Sequence, residues 1–251
     1  MDDRVRWVVV TGGSRGIGRS TVERLLDDGC GVVATSRQLD GCYDDITAGE
    51  ADRLRFLKWD LADVDSIQQY ADQVIAQVGP VAGLVHCAGV QLTVPLGMSK
   101  PSMVAGLFAI NTFAAMELVR CFSRRFAVDE RGASFVLISS VSAHQGAAGQ
   151  AAYAASKGAL EGFLQAAAAE LMPRHVRLNV VVPGTVDTDM VREFMGRMDV
   201  AQRMTFEKSY PLGIGKPEDV ADLIAFLLSD RSEWISGQSF VIDGGHLSRG
   251  S

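Results

Sequence analysis

The chain has 251 residues, with 24 Lys+Arg against 30 Asp+Glu, a net charge of −6, and is 47% hydrophobic and 22% charged. That apolar fraction can fill a large core, which excludes a disordered chain. The acidic balance argues against nonspecific nucleic-acid binding, which needs a basic surface.

The four cysteines (Cys30, Cys42, Cys87, Cys121) form no CxxC pair and no ligand-like grouping with the four histidines. Neither a disulfide framework nor a metal site is expected, and a reducing, cytoplasmic setting fits. The start, Met-Asp-Asp-Arg, reaches Trp7 without a basic and apolar leader, so no signal peptide is expected. The uncharged stretches 79–99 and 132–156 are broken by Gly, Gln, His, Ser or Pro, and neither reads as a membrane span. Length alone allows one or two domains at roughly 150 residues each. No linker or repeat divides the sequence, which reads as one domain over 1–251.

Strand-like runs at 7–11, 31–36, 54–58, 82–88, 134–140, 176–182 and 239–242 alternate with helical patterns at 18–28, 64–78, 102–128, 150–172 and 217–229. The strands are nearly continuous apolar runs, which predicts a parallel sheet covered by helices on both faces. Pro217-Glu-Asp suits a helix N-terminus. Residues 189–210, rich in Met, Phe and charge, break the rhythm and read as a helical lid.

The first strand ends in Thr11-Gly-Gly-Ser-Arg-Gly-Ile-Gly18 and opens directly into a helix. Glycines permit a tight turn and close backbone approach, and the helix N-terminus offers N–H groups to a pyrophosphate. Gly12, Ser14, Arg15, Gly16, Ile17 and Gly18 are the candidate cradle. The second strand continues Thr35-Ser-Arg37, with no acid before Asp40 to take a ribose 2′-hydroxyl. Arg37, with Arg15, instead suits a 2′-phosphate and hence NADP(H), against the alternative of two ordinary surface arginines. Asp60 lies between a strand and a helix, where a helix cap or loop acid is the simple reading.

Tyr153-Ala-Ala-Ser-Lys157 places Tyr and Lys one helical turn apart on one face. An ammonium there would favour the phenolate and make Tyr153 an acid/base near neutral pH. Ser140, at a strand end, could bond the same substrate oxygen, with Ser139 and Ser142 as alternatives.

With Asn111 and Pro183-Gly184 in order between the glycine turn and the closing Asp243-Gly-Gly245, the whole chain resembles the classical short-chain dehydrogenase/reductase family. The resemblance implies a single Rossmann domain with a seven-stranded parallel sheet in the order 3-2-1-4-5-6-7. It implies that Tyr153 exchanges the substrate proton, that Ser140 holds the substrate oxygen, and that Lys157 lowers the Tyr153 pKa and holds the nicotinamide ribose. Asn111 would anchor a relay water. Asp60 and Leu61 would flank the adenine, Ala88 and Gly89 would line the cofactor path, and Pro183, Gly184, Val186 and Thr188 would fix the nicotinamide. No metal is implied.

The family's Asn-Asn-Ala-Gly is replaced by His86-Cys87-Ala88-Gly89. A structural, hydrogen-bonded His86 and a small buried Cys87 are the favoured readings over a new acid/base or a reactive thiol. Substrate choice falls to the loops 90–98, 141–150 and 189–210, which offer Leu92, Val94, His144, Gln145, Met190, Phe194, Met195, Met198 and Phe206. The chain most resembles the bacterial 3-oxoacyl-[acyl-carrier-protein] reductases. That resemblance implies a 3-oxoacyl thioester substrate and places Arg131 and Arg174 as a docking patch for an acidic acyl carrier protein. It also implies a homotetramer or homodimer. A different alcohol (a sugar, polyol or cyclic alcohol) and a non-catalytic cofactor-sensing protein are the alternatives.

Overall fold

The structure is a computed structural model that describes residues 5–38 and 41–248. Strands β1 (Trp7–Thr11), β2 (Gly31–Ser36), β3 (Leu54–Lys58), β4 (Gly83–His86), β5 (Ala133–Ile138), β6 (Val176–Pro183) and β7 (Ser239–Ile242) form one sheet in the order β3-β2-β1-β4-β5-β6-β7. Every pairing is parallel, as the alternation of apolar runs and helices predicts. The helices are α1 (Gly16–Asp27), α2 (Ala48–Ala51), α3 (Ile67–Val78), α4 (Pro101–Phe108), α5 (Ala114–Phe122), α6 (Ala151–Leu171), α7 (Asp189–Met195), α8 (Val200–Glu207) and α9 (Pro217–Leu228).

Alternation along the strands feeds two cores. Val8 and Val10 point to the face covered by α1 and α9, where Val22, Leu25, Leu26, Val220 and Ile224 are buried. Val9 points to the face covered by α3, α5 and α6, with Tyr70, Leu118, Phe122, Leu160 and Leu164. Because side chains alternate across a strand, an all-apolar run serves both layers at once. The α9 start has Pro217 in its first turn, and the Asp219 carboxylate accepts the Lys216 N–H at 2.7 Å.

The expected helix 102–128 differs in two ways. Ala109–Phe113 is π-helical and joins α4 to α5, and the helix stops at Phe122. Beyond it the chain must return to the sheet. Val81 N–H donates to Ala127 O at 2.8 Å, and Asp129 N–H donates back to Val81 O at 3.0 Å. The stretch Pro101–Phe122 is long and apolar enough to cross a membrane by length and composition, with mean hydropathy 1.6. Its inward side carries Asn111 and Thr112, both buried, and α5 packs against α3, as a core helix would.

Strand order reverses between β1's two neighbours, β2 and β4. That divergence opens a crevice at the C-terminal edge of the sheet, the usual ligand position in open α/β sheets.

Candidate active site

A cleft of about 470 Å³ occupies that crevice. It is lined by the glycine turn, the ends of β2, β4, β5 and β6, the first turns of α6, and the lid helices α7 and α8. The turn after β1 has no room for a side chain at Gly12 or Gly18. A Cβ on Gly12, whose φ is +68°, would stand 2.7 Å from Ala88 N, and one on Gly18 would stand 2.2 Å from Gly12 O. The turn is also tied in place. Gly13 N–H donates to Thr35 O at 3.1 Å, the Tyr43 hydroxyl donates to Gly13 O, and Ser14 Oγ meets Ser36 Oγ at 2.9 Å. The α1 N-terminus that follows has no side-chain cap and no acid in its first turn. Its N–H groups and dipole are therefore open to an anion.

Arg15 and Arg37 both line this end of the cleft and are exposed. Neither makes an ion pair or side-chain hydrogen bond with any described residue, unlike Arg19, whose guanidinium bonds Glu23 and Asp45 at 2.7 Å. Asp40 lies outside the described residues. Asp60 and Leu61 sit on the cleft wall after β3. Asp60 Oδ1 accepts Ala62 N–H at 3.0 Å, so the acid caps its own turn as well as facing the cleft. Ala88, Gly89, Pro183, Gly184, Val186 and Thr188 complete the lining. Together the open helix end, the glycines at 12, 16 and 18 and two arginines without an ion pair among the described residues fit a phosphorylated dinucleotide.

Tyr153 and Lys157 project from α6 into the same cleft, facing Ser140 just beyond β5. Ser140 Oγ accepts Ser142 N–H at 3.2 Å and hydrogen-bonds Tyr153. Lys157 is buried, and its Nζ donates to Ile138 O at 2.8 Å. Burial pulls the lysine pKa down to about 8.

Burial raises the Tyr153 pKa, with the Ser140 hydrogen bond opposing it. Lys157 lies in the same cleft with its Nζ turned to the Ile138 carbonyl. The phenol is therefore held in its protonated form near neutral pH. Asn111, alone among the catalytic candidates, is not on the cleft surface. The π-helical turn swings it inward, where Oδ1 accepts Val90 N–H at 2.9 Å and Nδ2 donates to Val90 O at 2.9 Å and Ser156 Oγ at 3.0 Å. Both amide protons are thus used on protein groups, and Asn111 clamps the Gly89–Val90 backbone to α6. The point where a Gly89 Cβ would sit is 3.3 Å from both Asn111 Oδ1 and Lys157 Nζ, so glycine keeps that gap open.

His86 takes the structural role. It is fully buried, with Nδ1 2.9 Å from Thr11 Oγ1 and Nε2 3.1 Å from Ile110 O. A carbonyl can only accept, so Nε2 carries the proton and Nδ1 accepts from Thr11. Burial drives the imidazole pKa down to about 3, which keeps it neutral and useless as a proton shuttle near pH 7. It bonds β1, β4 and the π-helical turn together. His86→Leu removes that bridge and strands a buried hydroxyl and a carbonyl, so urea unfolding should show about 2–4 kcal/mol less stability. Cys87 lines the cleft, but burial pushes its thiol up to about 12, an unreactive state.

The substrate end is closed by an aromatic ladder. Phe194 on α7 meets Phe206 on α8 at 5.9 Å, and Phe206 meets Tyr210 at 5.6 Å. Tyr210 stacks on His246 at 4.3 Å. Of the residues expected in this pocket, Gln145, Phe194 and Phe206 line it; Leu92, Val94, His144, Met195 and Met198 do not. His144 instead pairs with Glu161 at 3.0 Å, and the Met190 side chain lies outside the described residues. Gln91, Thr93, Gln150 and Tyr210 line the cleft without having been singled out in the sequence. Of these, Gln150 carried a readable signal, three residues before Tyr153. Arg131 and Arg174 precede β5 and β6, at the N-terminal edge of the sheet and away from the cleft. Arg131 pairs with Asp129 at 3.2 Å, and Arg174 donates to Ser123 O at 3.1 Å.

A parallel sheet with a glycine-lined nucleotide cleft, in which a tyrosine, a serine and a lysine converge, defines a nucleotide-dependent oxidoreductase architecture. Residues 12–246 match the family described as enoyl-(acyl carrier protein) reductase. The 3-oxoacyl-[acyl-carrier-protein] reductase of Mus musculus is 33% identical over 94% of this chain and 95% of its own length. The NADP-dependent (R)-specific alcohol dehydrogenase of Lentilactobacillus kefiri is 30% identical over 99% of this chain and 100% of its own. A short-chain type dehydrogenase/reductase structure from Mycobacterium ulcerans superposes with a TM-score of 0.90 at 30% identity, covering 99% and 92% of the two chains. The chain belongs to the short-chain dehydrogenase/reductase family, whose members are nicotinamide-dependent oxidoreductases of alcohol and carbonyl groups.

Proposed function

We propose that the protein is an NADP(H)-dependent reductase that converts a 3-oxoacyl thioester to its 3-hydroxyacyl form. The observation that carries the reaction type is the meeting of Tyr153 and Ser140 across the cleft beside buried Lys157. When bound, the nicotinamide supplies a hydride. Ser140 holds the carbonyl oxygen, and protonated Tyr153 gives that oxygen its proton as negative charge develops. Lys157, charged below about pH 8, favours the resulting phenolate and hydrogen-bonds ribose hydroxyls. Gly12, Gly16 and Gly18 would admit the pyrophosphate to the α1 N-terminus, and Asp60 and Leu61 would bracket the adenine. Val186 and Thr188 would face the nicotinamide.

Arg15 and Arg37 support the 2′-phosphate reading because neither pairs with another charge among the described residues. Arg37→Ala should raise the KM for NADPH by about tenfold or more while moving that for NADH less than about twofold. An equal effect on both cofactors would remove the phosphate contact.

The thioester reading rests on a cleft lined by apolar Val191, Phe194 and Phe206 as well as polar Gln145 and Gln150, suiting an acyl chain next to a second carbonyl. Arg131 and Arg174 stay the candidate docking patch for an acidic carrier protein. The two arginines are locally paired at the far edge of the sheet from this chain's own cleft. The test is NADPH oxidation with acetoacetyl thioesters beside a panel of plain ketones and sugars. Rapid turnover of another carbonyl with none of the thioester overturns the substrate assignment and leaves the reaction type standing.

A further inference from the structure

A second polar cluster meets the turn that carries Ser140 and takes no part in the proton transfer. Glu161 follows Lys157 by four residues and Tyr153 by eight on α6, so the three share one helix face. Tyr153 and Lys157 line the cleft, whereas Glu161 does not. Glu161 Oε1 accepts the Ser139 hydroxyl at 2.9 Å, and His144 Nε2 lies 3.0 Å from both carboxylate oxygens. A carboxylate can only accept, so Nε2 carries the proton that faces it.

Ser139 and His144 are the two ends of one short turn. Ser139, buried just past β5, donates its N–H to Val181 O at 2.8 Å. Ser140 O then accepts Ala143 N–H at 2.9 Å, and Val141 O accepts His144 N–H at 2.9 Å. Those bonds shape the turn, and the Glu161 carboxylate ties both of its ends to α6. Ser139 Oγ also lies 3.2 Å from Lys157 O, a longer contact with the same helix. The carboxylate, not the imidazole, bonds the Ser139 hydroxyl, so the cluster lacks the serine–imidazole bond of an activated nucleophile.

We propose that Glu161 is a positioning residue: by holding Ser139 and His144 it sets the place of the Ser140 hydroxyl relative to Tyr153. The chemistry needs such a brace. Ser140 must hold the carbonyl oxygen where Tyr153 can give it a proton, yet the two side chains come from different elements, the end of β5 and the start of α6. A misplacement of about 1 Å costs about a hundredfold in rate. The inference rests on the carbonyl-reductase reading of Tyr153 and Ser140 and adds the group that keeps them in register.

The test is steady-state kinetics with an acetoacetyl thioester or, where that is not turned over, the fastest ketone of the panel named above. Glu161→Ala should lower kcat about ten- to thirtyfold, with the carbonyl KM and the NADPH Kd each changing less than about twofold. Glu161→Gln keeps an oxygen to accept from Ser139 and should bring kcat back to within about threefold of wild type. Ser140→Ala alone should cost about a hundredfold, and adding Glu161→Ala to it less than about twofold more, because the hydroxyl being positioned is already gone. A merely structural role would weaken NADPH binding or multiply with Ser140→Ala. His144→Ala, at an exposed position, removes one of the two ties and should lower kcat about threefold, which serves if Glu161→Ala folds poorly. An unchanged kcat in the alanine variants, a loss that multiplies in the double variant, or no recovery in Glu161→Gln overturns the proposal. If the wild-type protein reduces no carbonyl of the panel, or Ser140→Ala keeps the full rate, the reading of Ser140 falls and takes this inference with it. If Ser140→Ala is slow and Glu161→Ala is not, only the role of Glu161 is removed.

Discussion

Tyr153→Phe is expected to lower kcat for carbonyl reduction by about a thousandfold, within the usual range for a positioned general acid. The change deletes one oxygen and leaves the ring in place on α6. Ser140 keeps its contact with Ser142, and Lys157 keeps its bond to Ile138 O. Binding of NADPH, measured by fluorescence titration, should therefore change less than about threefold. The pH profile gives a second reading. Because burial raises the Tyr153 pKa, the acid form persists through neutrality and reduction should decline only on the alkaline side, whereas alcohol oxidation, which needs the phenolate, should rise there. Full activity in the variant would remove Tyr153 from the chemistry.

Gly18→Ala is expected to raise the NADPH dissociation constant by about a hundredfold and to destabilise the fold by about 1–3 kcal/mol. The new Cβ would stand 2.2 Å from Gly12 O and 2.7 Å from Gly12 C. Both atoms are backbone, so no rotamer change relieves the overlap. The turn itself must shift, and with it the N–H groups that face the phosphates. Gly162→Ala on α6 is the matched control, since nothing stands within 4 Å of its Cβ position. There alanine should stabilise by about 0.5–1 kcal/mol and leave cofactor binding alone. Isothermal titration and urea unfolding of both variants separate a local clash from a general loss of glycine.

The strands were legible because parallel strands buried on both faces read as unbroken apolar runs. Four of the seven, β1, β2, β3 and β7, match their expected bounds. The glycine turn was legible because its constraint is local: Gly12, Gly16 and Gly18 are needed within one turn of chain. The interior of the long helix was not. Nothing in the 102–128 pattern marks a π-helical turn at Ala109–Phe113, yet that turn decides where Asn111 points. α2 was missed because four residues are too short for a helical period to show. At β4 the sequence showed that His86 and Cys87 replace two asparagines, but only the fold shows Thr11 and Ile110 as the partners of His86. His246 illustrates the same limit at greater range, since its contact with Gln145 spans 101 positions.

Direct reduction of a carbonyl in this cleft is tested by isotope transfer. NADPH carrying deuterium at the transferred C4 position would be incubated with the protein and an acetoacetyl thioester, and the product analysed by mass spectrometry. The predicted result is one deuterium on the new carbinol carbon for each NADPH consumed, and neither product nor NADPH loss with Tyr153→Phe. Cofactor consumption without deuterium on that carbon would contradict the account.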